Sequence, residues 1–233
     1  MKTDREFKTF ININSKNLAI RVFDLDKNII YQNSLSLKND SRNLDLNLIS
    51  DFLDKNIFKI EKILGKFVNN IFLIIDHKDF FSIKISLKKK IYGEFITTND
   101  VNNLLIEAKN QCKKTLENKK IVHMKIDNYR IDDKDYSELP NNLKCNYLSL
   151  LINFICLPNN VVKDLEKILK NYHISISKIV SYNYLSEFIQ PEDDDIFLMS
   201  EKLIDGYNKN EILFINKNQE NQGFFEKFFN FFS

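Results

Sequence analysis

An α+β fold is predicted for this chain by three observations. Residues 7–37 alternate apolar and polar side chains between turn residues, which is the mark of a strand meander. Residues 48–64 then place Leu48, Ile49, Phe52, Leu53, Ile57, Ile60, Ile63 and Leu64 at helical spacing. From residue 80 onward strands and a helix follow in a new order, so the two kinds of element are interspersed along the chain. The 233 residues, 43% hydrophobic, suffice for one large core or two small ones.

Each element has a local reason. Phe7 to Ile13 and Leu18 to Phe23 alternate, and Asp24 to Asn28 turns the chain into Ile29 to Tyr31 and Leu35 to Leu37. Asp40 to Asn43 is a polar loop, and Gly65 ends the helix that follows. Ile71 to Ile75 is apolar throughout, as in a strand buried on both faces. Phe81, Ile83, Ile85 and Leu87 alternate again and Lys88-Lys89-Lys90 closes that strand, where lysines keep an edge soluble. Thr97 to Asp100 caps a helix carrying Val101, Leu104, Leu105, Ala108 and Cys112. Ile121 to Ile126 is a strand extended by Tyr129 to Ile131 into a loop from Asp132 to Asn142, and Leu143 to Leu157 is a strand ended by Pro158. Asn159-Asn160 caps a helix through Val161, Val162, Leu165, Ile168 and Leu169, and Ile174 to Val180 forms a short strand. Pro191 and the acidic run Glu192 to Asp195 read as a solvated hinge. A helix from Ile196 to Tyr207, with Phe197, Leu198 and Ile204 inward, precedes the apolar run Ile212 to Ile215.

The end of the chain is of a different kind. Asn216 to Gln222 has no apolar residue and reads as a tether. Wound at about 100° per residue, Phe224, Phe225, Phe228, Phe229, Phe231 and Phe232 fall on one arc of roughly 160°, with Lys227, Glu226 and Asn230 opposite. So short a helix is marginal alone in water and needs an apolar surface to fold against. A bilayer met edge-on supplies one, with about 1.5 to 3 kcal/mol for each Phe fully buried and about 1 kcal/mol from Lys227 at anionic headgroups. The helix's own domain or a partner's groove would serve the same face.

Other chemistry is sparse. A net charge of +2 gives no field that selects nucleic acid or acidic substrates. Three widely spaced cysteines, Cys112, Cys145 and Cys156, read as reduced thiols. The charged start Met1 to Glu6 leads into no apolar leader segment, and the longest apolar runs fall short of the roughly 20 residues of a membrane span. The expectation is a cytoplasmic protein, peripheral on the inner membrane if it meets one. His77, His123 and His173 are scattered, Asp132, Asp133 and Asp135 lack a glycine-centred cation loop, and no nucleophile elbow is present. No catalytic residue, metal or cofactor is expected, and no nucleic acid.

The order of these elements resembles FtsA, the family of actin-like membrane adaptors in bacterial cell division, over most of residues 9 to 190. Ile96 to Leu104, Ile121 to Asp132 and Pro158 to Ile189 are the similar stretches, and the polar tether with its amphipathic end is a second likeness. The resemblance implies half of an actin-like, ribonuclease H-like domain with an inserted small α+β domain, the second actin-like half missing. Residues 1–79 would be the first part of the subdomain, 80–155 the insert and 156–190 the return. A C-terminal helix and strand over 191–215, a linker over 216–222 and a membrane-targeting helix over 223–233 would complete it. Actin-like ATPases carry an acid and a glycine in their first phosphate turn. The matching positions here are Asn12, Asn14 and Ser15 after an Asn-Ile-Asn-Ser pattern, a degenerate phosphate loop. The resemblance therefore implies an adaptor without ATPase activity, with division proteins as partners, FtsZ among the candidates, and self-association. The alternative is a soluble scaffold of the pilus-assembly actin-like kind whose Phe-rich tail docks on protein.

Overall fold

The computed structural model describes residues 6–37, 44–190 and 195–212. Among them, those up to Phe80 together with Leu157–Asp205 form one compact unit, and Phe81–Cys156 with those from Gly206 form another. Within residues 195–212, those to Asp205 belong to the first unit and those from Gly206 to the second.

The first unit is built on five strands, β1 (Phe7–Ile13), β2 (Asn17–Asp24), β3 (Ile29–Ser36), β4 (Asn70–Ile75) and, after the other unit, β9 (Ser175–Ser181). Their order across the sheet is β3-β2-β1-β4-β9. The first three are an antiparallel meander, whereas β4 and β9 run parallel to β1. β3 is continuous where the sequence suggested a break, because register with β2 carries Gln32, Asn33 and Ser34 along. Helix α1 (Leu46–Leu64) starts where Asp45 accepts the Leu48 amide at 3.0 Å and ends at Gly65, whose φ of 67° is the left-handed conformation glycine adopts without strain.

Both faces of this sheet are covered. Thr9, Val22 and Tyr31 lie in register on the face against α1. There the buried Asn56 of α1 accepts from Tyr31 Oη at 2.6 Å and Asn33 Nδ2 at 2.8 Å and donates to Phe52 O, so its amide is satisfied inside the core. On the opposite face Phe10 stacks on Phe72, with centroids 5.0 Å apart, and meets the edges of Phe23 and Phe197. Phe197 comes from α5 (Ile196–Ile204), whose N-cap Asp195 accepts the Phe197 amide and pairs with Arg21 of β2. Asp195 is therefore not part of a solvated hinge. Burial of Phe197, Met199 and Leu203, with Leu198 and Ile204 only half-buried, sets this helix's inward face. The remaining helices are α3 (Asn159–Lys170) and the short α4 (Tyr182–Ser186). Asn159 and Asn160 do not cap α3. They lie inside it, after Pro158.

The second unit is a four-stranded sheet in the order β5-β8-β6-β7, made of β5 (Phe81–Lys90), β6 (Lys119–Ile131), β7 (Lys134–Tyr136) and β8 (Tyr147–Pro158). β6 and β7 form a hairpin inside what reads in sequence as a loop, turned at Asp132 with φ 52°. Asp132 Oδ1 accepts the amides of Asn146 and Tyr147 at 3.0 and 2.9 Å, which holds the turn against the start of β8. Helix α2 (Thr98–Gln111) opens with a capping box between Thr97 and Asp100. It buries Val101, Leu104, Leu105 and Ala108 in one core with Leu148, Leu150, Ile152, Phe154 and Cys156 of β8. Burial by tertiary packing fixes β8 where its sequence alternates only weakly.

Candidate functional site

The turn between β1 and β2 is where the sequence placed a degenerate phosphate loop. Asn12 is 3% exposed, in register with Ala19 on one side and Ile74 on the other, and its Nδ2 lies 3.3 Å from Asn17 Oδ1. Asn14 folds its side chain over the turn: Oδ1 accepts the amides of Lys16 at 2.8 Å and Asn17 at 2.9 Å, and its own N–H donates to Asn17 O. This is an Asx turn closed upon itself. The amides that a phosphate loop aims outward are here engaged by a carboxamide. Ser15, half-buried, stands at the tip of the same turn. The structure thus brings Asn12 and Asn14 together around Asn17.

Beside the turn lie the carboxyl ends of the parallel strands, the position at which open α/β sheets bind ligands. Ile13, Ile75 and Ser181 are in register there, and Asp76 donates its amide to Ile13 O at 2.9 Å. Asp76, His77 and Ser181 are all buried. Burial lowers the pKa of His77 against the opposing pull of Asp79, and its Nδ1 accepts the Asp79 amide at 3.1 Å. At this end of the sheet the Asp76 amide is engaged with backbone, and Asn12 Oδ1 is buried with no hydrogen-bond partner among the described residues.

A second arrangement was not legible in the sequence. Within the second unit, His123 of β6 and Glu211 are 1% and 2% exposed at the side chain, and His123 Nδ1 lies 2.7 Å from Glu211 Oε1. Around them the chain pairs as a short antiparallel bridge: Lys125 opposes Glu211, Ile126 N–H donates to Asn210 O, and Ile212 N–H donates to Met124 O. Ile212 enters the core of this unit, and the chain leaves the described residues from there. The two partners are 88 residues apart, so no local spacing announces them. The only visible signal is the apolar Ile212 after a polar stretch.

The same unit has a depression of about 600 Å³ lined by Lys88, Lys90, Tyr92, Asp132, Asp133, Asn146 and Tyr147. The Lys88 ammonium stands 4.0 Å from the centre of the Tyr147 ring, and Lys90 lies 5.5 Å from that of Tyr92. Neither lysine is paired with a carboxylate among the described residues, whereas Lys84 and Lys89 pair with Asp127 and Asp100. Arg130 binds Asp135 in a two-pronged pair that pulls the Asp135 carboxyl down to about 2. No group of three His, Cys, Asp or Glu among the described residues is placed to hold a metal ion, and no helix there is long and apolar enough to cross a membrane. Phe224, Phe225, Lys227, Phe228, Phe229, Phe231 and Phe232 lie outside the described residues.

No protein-family model matches the chain, and no curated protein does. Among solved structures, it is similar to one described as a PilM-PilN type IV pilus biogenesis complex, at 4% identity and a TM-score of 0.46, over 79% of this chain and 50% of that one. It is also similar to a Bacteroides thetaiotaomicron VPI-5482 protein described as having an actin-like ATPase fold and unknown function, at 16% identity and a TM-score of 0.28, over 79% of this chain and 56% of that one. The chain therefore spans about half the length of the solved structures named here.

Proposed function

We propose that this chain is a non-hydrolytic actin-like adaptor of the FtsA kind, held at the cytoplasmic face of the inner membrane by residues 223–233. The observation that carries the reading is the Asn14 turn. The sheet order β3-β2-β1-β4-β9 with a second unit inserted between β4 and β9 is compatible with an actin-like body, and the turn after β1 is closed by its own side chain. A body built this way works by position and contact rather than by turnover. The amphipathic Phe face then supplies the position, and the inserted unit the contact with division proteins. On that unit the cleft lined by Lys88, Lys90, Asp132 and Asp133 offers charges of both signs to a partner.

The test is co-sedimentation of the full chain with liposomes, beside a Phe228→Asp, Phe229→Asp variant. Charged side chains on the apolar face abolish insertion, so the variant stays in the supernatant under this reading. Equal pelleting of both chains would remove the membrane anchor. The soluble scaffold whose tail docks on a protein would then stand in its place, favoured by the short length and low basic content of the Phe helix.

A further inference from the structure

Among the sheet edges, β3 is unlike the others. An edge strand exposes unpaired N–H and C=O groups, and proteins guard such edges with charge, proline or a short strand. β5 follows that rule with Lys84, Lys88, Lys89 and Lys90, β7 is short and carries Lys134 and Asp135, and β9 carries Lys178. β3 runs eight residues, Ile-Ile-Tyr-Gln-Asn-Ser-Leu-Ser, without one charged residue or proline, in a chain that is 28% charged. Ile29 is 50% and Leu35 39% exposed. The strand is firmly placed, since Tyr31 and Asn33 are both tied to the buried Asn56. The Ser34 amide has only a local partner to give up, Asn33 Oδ1 at 2.9 Å.

We propose that the β3 edge is a docking site for the β3 edge of a second copy of this chain, antiparallel about a two-fold axis, giving one sheet continuous across the pair. The occupant follows from the missing charges. In an isologous contact each residue near the axis meets itself or a near neighbour from the mate, so any charge there would oppose its like. A charged partner strand would find no complementary charge on β3. Eight uncharged positions suit a copy of the same strand. This inference stands apart from the membrane reading, because none of its residues belongs to the tail.

The experiment uses the full chain. Sedimentation equilibrium across a concentration series should show a monomer–dimer equilibrium, and Gln32→Lys with Ser34→Lys should weaken it about tenfold or more by opposing like charges. A Ser34→Cys chain should form disulfide-linked dimers under mild oxidation faster than a Lys163→Cys control on α3, because the three native thiols are buried. That cross-link remains readable if the double lysine variant is poorly folded. A chain that stays monomeric, a dimer indifferent to both lysines, or cross-linking no faster at Ser34 than at Lys163 overturns the proposal. A dimer lost in the Phe228→Asp, Phe229→Asp variant but kept in the lysine variant would assign association to the tail instead.

Discussion

His123 and Glu211, 88 residues apart, meet at 2.7 Å with both side chains almost wholly buried. The contact joins the middle of β6 to the last residues of the described chain. Removing one partner leaves the other buried without its bond, so Glu211→Ala should cost about 3 kcal/mol of stability, and Glu211→Gln, which keeps an acceptor, clearly less. Thermal melting gives the magnitude. Limited proteolysis should show faster cleavage near Gly206 to Ile212 in the alanine variant, and unchanged cleavage there would show that the pair does not hold this segment in place.

Asn14 offers a second test. Its Oδ1 serves the Lys16 and Asn17 amides, so Asn14→Ala should destabilise by about 1 kcal/mol while Asn14→Asp, with an equivalent acceptor, stays near wild type. Under the proposed function, magnesium and ATP shift the melting temperature of neither the wild type nor the alanine variant. A clear upward shift in the wild type would restore nucleotide binding at this turn.

Acid should reach the start of α2 late. Burial raises the Asp100 pKa, but the Lys89 pair and the Thr97 bonds outweigh it and hold the carboxyl below its ordinary 3.8. A folded pKa below the unfolded one means stabilisation that is complete above 3.8 and lost as pH falls through the lowered value. Asp100→Asn should therefore cost about 1 kcal/mol at neutral pH, and its melting temperature should converge on that of wild type as pH drops through that window. Parallel curves at all pH values would show that the carboxylate's charge does not contribute.

The thiols report on the second unit's core. Cys112, Cys145 and Cys156 are 6%, 3% and 0% exposed, and burial pushes Cys156 up to about 11. At neutral pH a disulfide reagent should label none of the three in the native chain faster than the chain opens, and all three in denaturant. Rapid labelling of one native thiol would mean that the core of α2 and β8 opens locally.

Much of the fold could be read from local pattern. The meander, α1 with its glycine stop, the apolar β4 and the capping box of α2 are each dictated by neighbours within a few residues, because alternation, helical spacing and capping are short-range effects. The polar turn after β1 was visible as well, since Asn12, Asn14 and Asn17 fall within six residues. Less legible were β7, whose three residues pair only because Asp132 turns the chain back, and Asp195, which reads as one of four acids until Arg21 is placed beside it.

What the sequence alone determined is therefore the class of elements and most of their limits. Tertiary structure decided which residues share a core. Only folding puts β3 at a sheet edge with no charge to guard it and returns Glu211 to His123. The physical reason is range: hydrogen bonds and burial act over a few ångströms in space, and for these contacts the chain supplies the distance through packing, which no spacing along the sequence records.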